Sequence, residues 1–341
     1  MIQTALFSKW HVHAVEYALM AEENELLQIK LVWDEDEERG KKWAQELGVP
    51  FVKELAEVFS NSEIEAVIVN TPTIMHKDII LAAAKSKKHI FTEKVLALTV
   101  EECDEILKAV EENGVNLMVS LPRLTFPYYL YAQNTADQGL LGKITRIRCR
   151  VAHNGAVPSD ANPNGWLPAH FYKKEQCGGG ALIDLGAHPI YLTNRLGGEA
   201  KSVMAHFQYT YGHEVEDNAS VLVEYQSGAV GLIETGFVSY GSPFMLEING
   251  TEGTLLIEDD QIRLKSLHLS AEEWFIPDNL PARLPMPMEQ WVRSINGEEM
   301  PSMSNEDFRN LTLINEAAAL SAEIGRRVSI EEIEKQRLKS F

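Results

Sequence analysis

Short apolar runs alternate with amphipathic stretches through the first third of the chain. The runs Thr4 to Phe7, Ile29 to Trp33, Ala66 to Asn70, His89 to Thr92 and Leu117 to Val119 read as strands, because a continuous apolar run marks a strand buried on both faces of its sheet. Between the first two, Ala14, Tyr17, Ala18 and Ala21 recur at the i, i+3, i+4, i+7 spacing of one helix face. Thr99 with Glu102 forms a capping box, and the helix it opens is expected to stop at Asn113-Gly114. Strands alternating with helices predict βαβ units, and right-handed crossovers fold them into a doubly wound parallel sheet.

Past Ser120 the pattern changes. A stretch rich in proline and aromatic residues leads into a helix ending near Gly139. Strict alternation over Ile144 to Val151, Val203 to Tyr209 and Ala219 to Tyr225 then predicts strands with one buried face, and Gln226-Ser227-Gly228 marks a hairpin. Such strands joined by short turns imply a mostly antiparallel sheet. From Met288 onward the pattern returns to helix, with Leu311, Ile314 and Ala318 on one side. The expectation is an α/β chain of two domains: a Rossmann domain over 1–120, and an α/β domain over 121–341 that ends in the returning helix.

Composition narrows the partners more than the fold. With 341 residues, 45% hydrophobic and 24% charged, the chain has the make-up of a soluble globular protein. Its 31 basic against 50 acidic residues give a net charge of -19, which argues against nucleic acid or an anionic membrane as the main partner. Cys103, Cys149 and Cys177 fit neither a disulfide framework nor a C-x-x-C site, so a reducing cytoplasm is expected. No signal segment or membrane span is evident.

In a doubly wound fold the ligand sits beyond the carboxyl ends of the strands, so the strand-to-helix junctions are where chemistry is sought. The first junction reads Ser8-Lys9-Trp10-His11-Val12-His13, where a dinucleotide site would place G-x-G-x-x-G. Two readings stand. Ser8, Lys9 or His11 adds donors to a helix N-terminus that still attracts a phosphate, or Trp10 fills the pyrophosphate space. His11 and His13 project differently and have no carboxylate nearby in sequence, so no metal site is predicted. Asp34, at the end of the second strand, either accepts hydrogen bonds from an adenosine ribose, favouring NAD over NADP, or caps the following helix. Lys94, leaving the fourth strand, points toward the crevice, where partial burial would lower its pKa. In the second half, Gly178-Gly179-Gly180 leads to Asp184 and His188, which would be i, i+4 neighbours if helical, although Pro189 argues that the helix begins late or irregularly.

Asp34 with its acidic run, Gly48-Val49-Pro50, Asn70-Thr71-Pro72 with His76, Lys88 to Lys94, Gly114 to Val119, Gly142-Lys143-Ile144, the segment Gly178 to His188 and Ala317 to Gly325 make the chain similar over nearly its whole length to the glucose-fructose oxidoreductase / inositol dehydrogenase (Gfo/Idh/MocA) family. The resemblance implies an NAD(P)-dependent dehydrogenase or reductase of a sugar, inositol or polyol, with a large open-faced second-domain sheet and a homo-dimer or homo-tetramer. It implies that Lys94 stands between substrate and nicotinamide, that Glu93 lies against the cofactor, and that Thr71, Pro72 and His76 line its nicotinamide side. Asp184 and His188 resemble the family's substrate-holding aspartate and acid/base histidine, and Arg123 and Trp166 fall where the family often meets substrate. Two positions depart from the pattern: the glycine fingerprint is absent, and Val95 replaces the proline after the lysine. A redox-neutral sugar epimerase or lyase, or a non-catalytic sugar-binding relative, is the alternative.

Overall fold

The computed structural model describes residues 1–160, 162–259, 261–269 and 273–337. Its contacts divide the chain into two compact units, Met1–Leu121 with Pro285–Arg309, and Pro122–Leu284 with the C-terminal stretch from Asn310. The chain therefore leaves the first unit after Leu121 and comes back to it for residues 285–309.

The first unit is built on β1 (Ile2–Phe7), β2 (Leu27–Trp33), β3 (Ala66–Val69), β4 (His89–Thr92) and β5 (Leu117–Val119). These strands form one five-stranded sheet in the order β2-β1-β3-β4-β5, and every pairing is parallel. All four residues of β3, Ala-Val-Ile-Val, are buried, as layers on both faces require. The apolar stripe of α1 (Ala14–Glu23) is the buried one: Ala14, Tyr17, Ala18 and Ala21. After α2 (Glu37–Leu47), α3 (Leu55–Ser60) and α4 (His76–Lys85) comes α5 (Val100–Asn113), whose first turn is held by Thr99 Oγ1 accepting from the Glu102 N–H at 3.2 Å. Gly114, at φ 65°, ends it in the left-handed conformation that glycine adopts without a Cβ penalty. Pro285–Arg309 joins this unit through the fully buried Trp291, whose ring lies 5.7 Å from Phe91 and whose Nε1–H donates to the Asn116 carbonyl.

The second unit holds α6 (Pro127–Asp137) and an eight-stranded sheet. Its strands are β6 (Ile144–Ala152), β7 (Ala200–Gln208), β8 (Asn218–Tyr225), β9 (Val230–Gly236), β10 (Met245–Gly250), β11 (Gly253–Glu258), β12 (Gln261–Ser266) and β13 (Val328–Ser329). The order is β12-β11-β10-β6-β9-β8-β7-β13, antiparallel everywhere except the β6–β9 pair. The expected hairpin joins β8 to β9, with Gly228 at φ 84° in its turn. Along β8 exposed and buried positions alternate, so one face is packed and the other is open. Between β6 and β7, α7 (Lys174–Cys177) leads to the glycine turn and then to α8 (Ala187–Gly197). Among the described residues no helix is long and apolar enough to cross a membrane.

Candidate active site

Strand order reverses between β1 and β3, and in an open α/β sheet this switch point opens the ligand crevice. The two junctions flanking it are Ser8 to His13 and Asn70 to Met75. The first keeps the shape of a fingerprint turn without its glycines: Ser8 takes φ 66°, a conformation uncommon outside glycine. Its hydroxyl accepts the Trp10 N–H at 3.0 Å, which holds the turn from within. Four further backbone donors are engaged as well. Ser8 N–H reaches the Trp33 carbonyl, Lys9 N–H an Asp34 oxygen at 2.8 Å, His11 N–H the Asn70 carbonyl, and His13 N–H the His11 ring. Trp10 is only 4% exposed, so its indole is part of the packed unit.

Asp34 is buried and richly bonded. It accepts from the backbone of Lys9 and Asp36 and from Arg39, whose Nε and Nη2 lie 3.0 and 2.6 Å from its two oxygens. Four such bonds fill the ordinary capacity of a carboxylate. Asp34 does not cap α2; Asp36 does, accepting the Arg39 N–H at 3.0 Å. Gly40 is what lets α2 lie so close, since a Cβ there would come within 2.6 Å of Asp34 Cβ. Lys9 turns its amine outward to Glu46 at 2.6 Å.

At the second junction the polar atoms are less well served. The Asn70 amide and the Thr71 hydroxyl are buried and make no hydrogen bond among the described residues. A buried polar group left this way costs about 1–3 kcal/mol, and such groups in a crevice are where a ligand is expected. Pro72 leads into the turn Thr73–Met75. His76 then opens α4, with Nδ1 2.8 Å from the Val95 carbonyl and Nε2 3.3 Å from that of Thr71. Burial holds this imidazole below its ordinary pKa, despite both carbonyls and Glu93, so it is neutral near pH 7.

Glu93 and Lys94 follow β4 and are both buried. The Lys94 N–H donates to Glu93 Oε2 at 2.8 Å, and its amine lies 4.0 Å from the same oxygen. The Tyr17 hydroxyl donates to Oε1. Burial alone would raise the Glu93 pKa, but His11 and Lys94 outweigh it and hold the carboxyl below its usual range. The Lys94–Val95 peptide bond is cis.

In the second unit, Asp184 and His188 are not successive turns of a helix. Residues 181–186 form tight turns, α8 begins at Ala187, and Pro189 falls in its first turn, where proline is tolerated. His188 is half-buried, with Nδ1 2.8 Å from the Tyr191 hydroxyl. That hydroxyl also accepts the Arg123 N–H at 3.3 Å, so Arg123 and His188 meet at one oxygen. The Arg123 guanidinium donates to the Tyr128 hydroxyl and stands 5.2 Å from the Phe244 ring. Trp166 is 52% exposed and its ring lies 4.7 Å from that of His153.

Three residues carry more of these sites than sequence reasoning gave them. Arg39 fills Asp34, and Tyr191 joins Arg123 to His188. Buried Glu216 accepts the N–H groups of Gly180 and Leu182, both at 3.0 Å, and its carbonyl takes that of Ala181. Gly180 is obligatory there, since a Cβ would sit 2.0 Å from the Glu216 carbonyl oxygen. The run Glu-Asp before a strand was the one available signal for Glu216, and it marks many loops.

Comparison with known proteins agrees with this architecture. Residues 11–121 match the family model described as "Oxidoreductase family, NAD-binding Rossmann fold", and 129–256 match the GFO/IDH/MocA C-terminal domain. The chain belongs to the GFO/IDH/MocA family of oxidoreductases. It is 34% identical over 229 residues to scyllo-inositol 2-dehydrogenase (NAD(+)) of Bacillus subtilis, covering 64% of this chain and 63% of that protein. It is 30% identical over 230 residues to 2,7-anhydro-N-acetylneuraminate hydratase of Escherichia coli, covering 65% and 59%. Each match thus spans less than two thirds of the relative's own length. The crystal structure of an NAD-binding protein from Listeria innocua superimposes with a TM-score of 0.82 at 24% identity, covering 97% of this chain and 98% of that one.

Proposed function

We propose that the chain is an NAD-linked oxidoreductase that moves hydride between a nicotinamide cofactor and the CH–OH carbon of a sugar, inositol or related polyol. The observation that supports this most is the pair of buried, unbonded polar groups of Asn70 and Thr71 at the switch point of the parallel sheet. Bound NAD would supply the hydride acceptor; the chain's own residues would do the rest.

In the first unit, Asn70 and Thr71 would bond the cofactor, with Pro72, His76 and Glu93 beside them. Asp34 would take the ribose hydroxyls in exchange for Arg39. Lys94, its ammonium balanced by Glu93 at 4.0 Å, would steady the oxygen of the substrate as negative charge develops. In the second unit, the Nδ1–H of His188 would donate to Tyr191, which leaves the Nε2 lone pair to take the substrate hydroxyl proton. Asp184 and Arg123 would hold other hydroxyls, and Trp166 would offer an aromatic face to the sugar. Reduction would run the same proton steps in reverse.

The test is turnover. Incubation with NAD+ and a panel of inositols and pyranoses is expected to give NADH with at least one of them, and His188→Ala should cut the rate by roughly 100-fold or more. The similarity to the hydratase favours a second reading, redox-neutral chemistry on a sugar by the same acid/base groups. Product without net NADH would establish that reading and overturn the first. A reducing cytoplasm and a homo-dimer or homo-tetramer complete the proposal. They are supported by three buried cysteines, none of them in a disulfide, and by Met204 and Leu222, cross-strand neighbours exposed on the open sheet face.

A further inference from the structure

The Glu93 carboxylate sits in a corner with two histidines. One nitrogen of His11, one of His13 and one Glu93 oxygen all lie within 4.8 Å of one another. His11 Nδ1 is 3.9 Å from Glu93 Oε1, and the two imidazole rings face each other at 5.1 Å between centroids, tilted by 32°. His11 and Glu93 are both buried, so this is not a chance meeting of surface side chains.

We propose that His11, His13 and Glu93 bind a divalent metal ion of the zinc class. Two imidazoles and a carboxylate are a donor set such ions accept in open sites, with one coordination position left over. Metal–ligand bonds of about 2.0–2.2 Å in a tetrahedron put neighbouring donors roughly 3.3–3.5 Å apart. The widest separation present must therefore close by a little over an ångström, and His13 has room to turn, its side chain being 42% exposed.

The surroundings suit a ligand set. His13 Nδ1 lies 3.0 Å from Glu16 Oε2, the arrangement in which a ligating imidazole passes its other N–H to a carboxylate and keeps Nε2 for the metal. The backbone N–H of His13 donates to His11 Nδ1 at 3.2 Å, which fixes that nitrogen as the unprotonated one; a metal held there takes over the lone pair and displaces this bond. Tyr17 holds the carboxylate from α1 and the Lys94 N–H holds its other oxygen, so the acidic ligand is already oriented. The ligand set requires no nucleotide, and it shares one residue with the hydride-transfer reading, Glu93, which lies 4.0 Å from the Lys94 amine.

The experiment uses the full chain, stripped with a chelator and desalted. Cobalt(II) is followed by its visible d–d bands and zinc by calorimetry. One equivalent is expected to bind, with the intense visible absorption of four-coordinate cobalt. His13→Ala should weaken binding at least about 10-fold while leaving the thermal midpoint of the metal-free protein unchanged. Glu93→Gln should weaken it as well; if that buried variant fails to fold, His13→Ala decides. No saturable binding of either ion, or binding that His13→Ala leaves unaltered, overturns the proposal. Metal binding without NADH production would fail the hydride reading alone, and NADH production without metal binding would fail this proposal alone.

Discussion

The loop after β1 and the glycine turn before α8 are each tied down through backbone N–H groups, but by different means. In the first, the side chains of Ser8, Asp34 and His11, which the sequence offered as candidate nucleotide contacts, hold the loop themselves. In the second, the holding is delegated to Glu216, which accepts from Gly180 and Leu182 and leaves Asp184 and His188 to other work. A site whose scaffold is separate from its chemistry can lose one without the other. A loop that is its own scaffold must exchange bonds before it can bind anything.

That contrast can be broken most sharply in the second unit. His188→Ala should cut turnover by roughly 100-fold or more, in line with general acid/base contributions, with a nearly unchanged thermal midpoint. Steady-state kinetics beside a melting curve checks it, and large destabilisation with intact activity would show His188 to be scaffold. Glu216→Ala should do the reverse, leaving two N–H groups unsatisfied at about 1–3 kcal/mol each. Chemical denaturation should register the loss before any specific change in kcat.

The two regions should also respond to pH with opposite signs. His76 is buried with a depressed pKa, so its contribution is complete above the ordinary imidazole value of about 6.5 and is lost as pH falls through the folded value. Glu93, also depressed, contributes in the same direction at lower pH. Burial raises the Glu216 pKa, so its contribution is complete below the ordinary carboxylate value and is lost as pH rises through the folded one. Denaturation midpoints measured against pH should flatten on the acid side in His76→Asn and lose the opposing trend in Glu216→Gln.

Smaller effects probe the first loop. Arg39→Ala removes two of the four bonds on Asp34 and should tighten NAD(H) binding several-fold, read by calorimetry. Weaker binding would instead make Arg39 part of the nucleotide site. Lys9→Ala should change least, because it is the backbone N–H of Lys9 that meets Asp34 while its amine meets exposed Glu46. A melting curve and an NAD titration close to those of the parent would bear this out.

What could be read from sequence was what is local. The stripe of α1, the Thr99 cap and the glycine stop of α5 are encoded within a few residues, and the structure has them where the pattern put them. The late start of α8 was signalled by Pro189. Side-chain pairings were not legible, even close in sequence. No role was read for Arg39, five residues on from Asp34, and Asp34 rather than Asp36 was considered as the cap. The carboxylate that meets both His11 and His13, Glu93, is distant in sequence and follows β4. Ser8 is the subtlest case, since its φ of 66° is one that glycine adopts freely and nothing in the sequence pattern announces it.

The most direct test is nucleotide binding to the intact protein. Purified chain should first be checked for retained nucleotide by absorbance and mass spectrometry, then titrated with NAD, NADH, NADP and NADPH by calorimetry and thermal shift. The expected result is a rise in melting temperature with NAD(H) larger than with NADP(H), since a ligand that binds only the folded state stabilises it. No retained nucleotide and no shift at millimolar concentration would contradict the dehydrogenase reading. Asn70, Thr71 and Lys94 would then have to serve a different ligand.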